Sequence, residues 1–318
     1  MKAAIITSPG AQPRYGDFAE PAAGEGEIVV TVKAAPISPI VRVRAAQADI
    51  GDAGVVAGID GVGTMPDGRR VYFLFPKAPF GALAERTLVP AALTVPVPDG
   101  LDDPAAAAVA TSGLASWVAL TRRAPMVAGQ TVLVTGANGA AGRIALDIAR
   151  HLGAGHTIAV ARSAAKLQGL SADTGIALDA PDADRALKAV FDDGVDIVLD
   201  FVWGETAGRL IGAATAGRGS PGGEARTRYL VLGTSGGLTV PLSGYGFQSS
   251  GIELLGSGIG SVPVRDYLAA AGELLGAAAS TALSPRYDVA RLCDIASIWG
   301  QSGERRYVLL PDREIPGR

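Results

Sequence analysis

The segment TVLVTGANGAAG, residues 131–142, constrains this chain more than any other. A short β-type run, Val132-Leu133-Val134, stops at three glycines spaced three apart, Gly136, Gly139 and Gly142. An apolar stripe at helical spacing follows, with Ile144, Ile148 and Leu152 on one face. Strand, glycine turn and helix in that order make the phosphate-binding start of a dinucleotide fold. The first glycine permits the tight turn and the second lets backbone amides approach a pyrophosphate. The third lets the helix pack closely, with the positive end of its dipole aimed at the phosphates. The expected backbone cradle is Gly136, Ala137, Asn138, Gly139, Ala140, Ala141 and Gly142.

The surrounding chain fits such a fold. Strand candidates at 131–135, 157–161, 176–179, 195–200, 228–233 and 252–256 alternate with helical stretches near 141–152, 163–170, 182–192 and 204–214. Alternation at this spacing predicts a parallel, doubly wound sheet. Before it, short β-type runs and turns such as Pro66-Asp67-Gly68 give way at Asp103-Pro104 to an alanine-rich helix. The segment 216–226, AGRGSPGGEAR, reads as a surface loop. Tyr307-Val-Leu-Leu reads as a last strand returning to the first domain.

Composition narrows the function classes. With 318 residues the chain has room for two domains. Net charge is −3 with the signs interspersed, which gives no basic footprint for nucleic acid. No uninterrupted apolar run approaches the ~18–20 residues of a membrane span, and the N-terminus does not read as a signal peptide. The single cysteine fits a reducing cytoplasm, which is the expected location. Cys293, His151 and His156 are the whole supply of Cys and His, so no zinc site is expected, since even a catalytic zinc needs about three protein ligands.

The nicotinamide cofactor is read from the end of the second strand of the fold. Sites for NAD place an Asp or Glu there to hold the ribose 2′-hydroxyl. This chain has Ala161, followed by Arg162, Ser163 and Lys166, which can donate to a 2′-phosphate. NADPH is therefore the expected cofactor.

Taken together, MKAAIIT, GEGEIVVTVKAAPISP, PFGALAERTLVPAALTVPVPDGLDDPAAAAV, the glycine turn, VDIVLDFVWGETAGRLI and YLVLGTSGG followed by ELLGSG resemble a known family. It is the zinc-free medium-chain dehydrogenases/reductases of the quinone oxidoreductase (zeta-crystallin-like) group. The resemblance implies an α/β fold: a Rossmann doubly wound parallel sheet nested in a mainly-β, barrel-like (GroES-like) catalytic domain. It implies NADPH in a cleft between the two. The expected boundaries are 1–112 with 285–318 for the catalytic domain, and 113–284 for the NADPH-binding domain. It further implies that Gly233, Thr234 and Ser235 lie beside the ribose and nicotinamide. The chain departs from the family at Ser38-Pro39, where Asn-Pro is frequent, and lacks a tyrosine in 41–57.

A nicotinamide supplies hydride without metal to an acceptor whose developing enolate is weakly basic. The expected reaction is NADPH-dependent reduction of a quinone or an α,β-unsaturated carbonyl (enone or enoyl) substrate. Candidate catalytic groups are Tyr245, Ser38 and Tyr72; Tyr72 also reads as a satisfied core phenol. Tyr245 and Phe247 are candidate walls of the substrate pocket, and Thr111 and Ser112 candidate contacts to the nicotinamide or its ribose. A homodimer is expected. Two other readings stay open: a redox-neutral or biosynthetic tailoring enzyme on the same fold, and an NADPH-binding protein with little turnover.

Overall fold

The structure is a computed structural model in which residues 1–281, 283–301 and 304–311 are described. By packing, the chain divides into two compact units, Met1–Leu114 with the segment from Leu268 onward, and Ala115–Tyr267.

The first unit is mainly β. It opens with β1 (Lys2–Ile6), β2 (Arg14–Asp17) and β3 (Glu27–Ile37), then a short helix α1 (Pro39–Ala46) and β4 (Val55–Val56). It continues through β5 (Asp60–Thr64), β6 (Arg70–Leu74), β7 (Arg86–Pro90) and β8 (Thr94–Pro96) into the helix α2 (Asp103–Val118). Antiparallel β1 pairs with β2 and β4, while β3, β5, β6, β7 and β8 build a larger sheet. Gly61 and Gly63 let β5 lie tightly against its neighbours: a Cβ would stand 2.9 Å from the Ala34 carbonyl oxygen at Gly61 and 2.4 Å from that of Thr31 at Gly63. Alternate residues of these strands, including Val30, Val32, Val71, Phe73 and Val89, fill one buried core.

The second unit is a parallel sheet wrapped by helices. Its elements are β9 (Thr131–Thr135), α3 (Ala140–His151), β10 (His156–Ala161), α4 (Ala164–Leu167), β11 (Thr174–Ala177), α5 (Ala183–Asp193) and β12 (Ile197–Asp200). They continue with α6 (Gly204–Thr215), β13 (Thr227–Val231), α7 (Gly244–Gln248) and β14 (Ile252–Gly256). The strand order β11-β10-β9-β12-β13-β14 is that of a doubly wound dinucleotide fold, with the order reversing between β9 and β12. Leu133, Val160, Val198, Leu187, Leu210 and Tyr229 belong to its core. The expected α/β class and nesting of the two folds hold.

The chain then returns. Helix α8 (Val264–Ser280) buries Ala270, Ala271, Leu274 and Leu275, and most of it groups with the first unit, so the structure leaves the second unit earlier in the chain than residue 284. Strands β15 (Tyr287–Arg291) and β16 (Arg306–Leu310), with the one-turn helix α9 (Ile295–Ile298) between them, complete the unit. β16 joins β3 with Val308 opposite Pro36, the expected return strand. Among the described residues one helical stretch, Asp103–Arg123, is long and apolar enough to cross a membrane, but 72% of its apolar window is buried in the protein, as in a core helix.

Candidate cofactor site and a buried polar cluster

The loops leaving β9, β12 and β13 meet at the carboxyl ends of the parallel strands, where open α/β sheets bind ligands. Gly136 has φ of +58°, which favours glycine, and an added Cβ would stand 3.1 Å from Val202 Cγ2. At Gly142 a Cβ would stand 2.3 Å from the Gly136 carbonyl oxygen, so only glycine lets α3 start this close to the turn. Gly139 differs. It caps α3 in an extended conformation with no side-chain capping bond, and a Cβ there would meet only the Gly136 carbonyl oxygen at 3.3 Å. Fold packing thus requires the two outer glycines and leaves room at the middle one. The first-turn amides of α3, on Ala140, Ala141 and Gly142, have no side-chain cap, the usual setting for an anion at a helix N-terminus. Ala137 is fully buried, and the Asn138 carbonyl accepts from Arg143 Nε at 3.1 Å.

A carboxylate that sequence reasoning passed over fixes this geometry. Asp200, fully buried at the end of β12, accepts from four donors. Oδ1 takes the Thr135 hydroxyl at 2.5 Å and the amides of Val202 and Trp203 at 2.9 and 3.1 Å. Oδ2 takes the Tyr229 hydroxyl at 2.8 Å. Burial, and then the Asp200 charge, push the Tyr229 phenol well above its usual range. The Thr135 oxygen in turn accepts from the Phe201 amide at 3.1 Å. The carboxylate thereby ties β9, β12 and β13 together and holds Trp203 at φ of +59°. The β13 loop docks onto the same segment: the Gly236 amide donates to the Val202 carbonyl at 2.7 Å, and Ser235 Oγ to that of Phe201 at 3.1 Å. Gly233 could carry no Cβ, which would stand 2.6 Å from the Phe201 carbonyl oxygen. The one available sequence signal was a carboxylate closing the otherwise apolar run IVLD.

The other candidates of this unit fall as follows. Arg162 is exposed and makes no side-chain hydrogen bond or ion pair among the described residues, Ser163 opens α4 without a side-chain capping bond, and Lys166 is exposed. All three follow Ala161, the buried last residue of β10. Thr234 is exposed on the β13 loop beside Gly233 and Ser235. Tyr245 on α7 is 76% exposed, while Phe247 is half-buried and packs against the core of its own unit.

Ser38, Tyr72, Thr111 and Ser112 belong to the first unit. Thr111 and Ser112 lie within helix α2; Ser112 is buried, and its Oγ has no hydrogen-bond partner. Tyr72 is buried on β6 and donates to Asp60 Oδ2 at 3.0 Å, which makes it a satisfied core phenol. Asp60, the first residue of β5, is pushed up to about 7 by burial, against the lowering effects of Tyr72 and the Arg306 charge. Ser38 caps α1 through its carbonyl, while its buried Oγ has no partner. Asp60 and Arg306 were not visible in the sequence as site residues.

No family model matches the chain. Among characterised proteins it is 31% identical over 230 residues to a probable NADPH-dependent quinone reductase, tdiC, of Emericella nidulans, a match covering 66% of this chain and 62% of that protein. It is 29% identical over 190 residues to prostaglandin reductase-3 of Bos taurus, covering 59% of this chain and 46% of that one. The chain thus matches less than two thirds of these relatives' length. Among solved structures, the quinone oxidoreductase of Thermus thermophilus, also solved with NADPH, superposes with a TM-score of 0.76 at 26% identity over 98% of this chain and all of that one. A mycobacterial quinone oxidoreductase gives 0.81 at 23% identity, over 98% and 100% of the two chains, which shows the shared fold.

Proposed function

We propose that this chain belongs with the zeta-crystallin-like quinone oxidoreductases among the medium-chain dehydrogenases/reductases, a reading supported by its similarity to the proteins above, and that it is an NADPH-dependent reductase of a quinone or an α,β-unsaturated carbonyl compound. The observation that carries the cofactor assignment is the contrast within the glycine turn. Gly136 and Gly142 are closed by the protein's own atoms and Gly139 is not, as expected where backbone amides must lie against a pyrophosphate. The uncapped amides of Ala140, Ala141 and Gly142 donate to that pyrophosphate. Arg162, Ser163 and Lys166 hold the 2′-phosphate, and Arg162 can do so as a planar fork. The Gly233–Ser235 loop would border the ribose and nicotinamide.

The bound cofactor would make a hydride available to the electron-poor carbon of the acceptor. The chain's part is to position that carbon, exclude water and steady the oxygen on which negative charge develops. Tyr245, exposed on α7, is the donor for that oxygen, and Ser38, with an unspent hydroxyl, is a donor to another oxygen of the substrate. Tyr72 already donates to Asp60 and acts through it. The catalytic role falls to the unit of Met1–Leu114 with the segment from Leu268 onward and NADPH binding to Ala115–Tyr267, and the enzyme operates in the cytoplasm as a homodimer. Strand β14 ends the strand order of its sheet among the described residues, and this outer edge is a pairing surface of the right kind.

Steady NADPH oxidation with a simple quinone or enone tests the reading, together with the mass of the product. Reduction adds two hydrogens. A product of unchanged mass assigns a redox-neutral reaction instead, and NADPH binding without turnover of any acceptor leaves only a binding role.

A further inference from the structure

One face of the large sheet in the first unit carries polar side chains that cofactor binding does not use. Tyr72 stands opposite Val62, and Asp60, two residues along β5, shares that face. Val308 stands opposite Pro36. One further alternation along both chains puts Arg306 opposite Ser38, again on the same face. Asp60 and Ser38 are 3% and 4% exposed. Ser38 Oγ, Asp60 Oδ1 and Arg306 Nε are buried and have no hydrogen-bond partner. The same is true of Nε of Arg42, on the helix that starts after Ser38.

The charges are as unbalanced as the hydrogen bonds. Burial brings Arg306 down to about 10 against the raising effect of the Asp60 charge, and the Arg42 charge adds a smaller lowering. Burial also lowers Arg42. Among the described residues, neither guanidinium has a carboxylate within ion-pair distance, and Asp60 is occupied on one side by Tyr72. Two adjacent, partly desolvated cations with unspent N–H groups are costly unless an anion meets them. A metal cation would be repelled, and a neutral ligand would leave the charge uncompensated.

We propose that Ser38, Arg42 and Arg306 form a receptor for a carboxylate, so that the substrate is an enone that also bears a carboxylate group. Each Nε–H and the Ser38 hydroxyl donates to one of the two carboxylate oxygens, which together offer about four acceptor sites. Asp60 in its acid form adds a fourth donor. Arg42 would provide the opening: it is half-buried, and one of its terminal nitrogens donates to the Gln301 carbonyl. This assignment refines the proposed reductase and takes its enone from that reading.

Two measurements on the full chain separate the two. Binding is followed by calorimetry without cofactor, using levulinate, its methyl ester and inorganic phosphate as probes. Levulinate should bind at least tenfold more tightly than the ester or phosphate, and Arg42→Gln, a half-exposed position that folding tolerates, should remove that preference, as should Arg306→Gln where it folds. Turnover is followed with 4-oxo-2-pentenoate and its methyl ester, and the acid should have the higher kcat/KM in an Arg42-dependent manner. Reduction of acid and ester alike, with no binding of levulinate, overturns the receptor and leaves the reductase intact. Arg42-dependent binding of levulinate with no reduction of either compound upholds the receptor and removes the reductase. Phosphate binding in preference to levulinate overturns the carboxylate assignment.

Discussion

The Tyr229 hydroxyl lies 2.8 Å from Asp200 Oδ2, and this bond joins β13 to β12 beneath the loops at the carboxyl edge of the sheet. With Oδ1 taken by Thr135, Val202 and Trp203, the fully buried carboxylate is satisfied entirely by protein donors. Its role is to position: it shapes the Phe201–Trp203 segment against which both Gly136 and Gly236 pack.

Tyr229→Phe removes one bond to a buried charge and should cost about 1.5–3 kcal/mol of stability. Asp200→Ala leaves two buried hydroxyls and two amides without acceptors. It should cost more than Tyr229→Phe and weaken NADPH binding in the protein that still folds, since the loop is released. Urea denaturation and NADPH fluorescence titration of each variant check this. Equal NADPH affinity in folded Asp200→Ala would show that the tie is not needed at the site.

The second and third glycines of the turn should separate binding from folding. Gly142→Ala places a Cβ 2.3 Å from a backbone oxygen, so it should unfold or strongly destabilise the second unit. Gly139→Ala needs only a few tenths of an ångström of adjustment; its midpoint of denaturation should be near that of the parent while NADPH binds at least about tenfold more weakly, or ~1.4 kcal/mol. Unchanged NADPH affinity in Gly139→Ala would move the pyrophosphate away from this turn.

Arg162→Ala tests the choice of cofactor. Loss of a charge-assisted contact to the 2′-phosphate should weaken NADPH by about 1.5–3 kcal/mol and leave NADH unchanged. Titrating the two cofactors in parallel decides it, and equal losses for both would contradict the assignment.

Asp60 gives the first unit a pH dependence of definite sign. Its carboxyl is raised from 3.8 to about 7 by burial, with Tyr72 and Arg306 opposing. The folded protein therefore keeps a proton that the unfolded chain releases above about pH 4. The associated stability is fully present below that point, declines as pH rises towards about 7, and changes no further above it. The span amounts to at most ~4 kcal/mol. Asp60→Asn keeps an acceptor for Tyr72 and removes the titration, so its stability relative to the parent should improve between about pH 5 and pH 8. A difference that is constant across that range in urea denaturation would mean that Asp60 does not titrate in the folded protein.

Much of the fold was legible because it is written in periodic patterns. The run TVLVT became β9 residue for residue, and the stripe through Ile144 and Ile148 became the buried face of α3. Where an element depends on a polar anchor, the pattern misleads. A strand was expected at 176–179, but it spans Thr174–Ala177, because Asp173 accepts from the Thr157 amide and hydroxyl and starts the pairing early. Thr174 and Gly175 carry no apolar signal, and Gly175 is small because Leu167 lies over it. The site divides along the same line. The glycine turn and Arg162 are local sequence features, whereas the Asp200 tie and the Asp60–Tyr72 pair join residues 29 to 65 and 12 apart in the chain. Partners brought together only by sheet register have no local signature.

The central claim is that this chain moves hydride from NADPH to an electron-poor carbon, and deuterium transfer tests it most directly. With NADPH deuterated at C4 on each face in turn and an enone as acceptor, one of the two labelled cofactors should deliver a single deuterium to the β-carbon of a product two hydrogens heavier than the substrate. An acceptor consumed without deuterium from either cofactor, or NADPH that remains unoxidised while substrate disappears, would contradict the account.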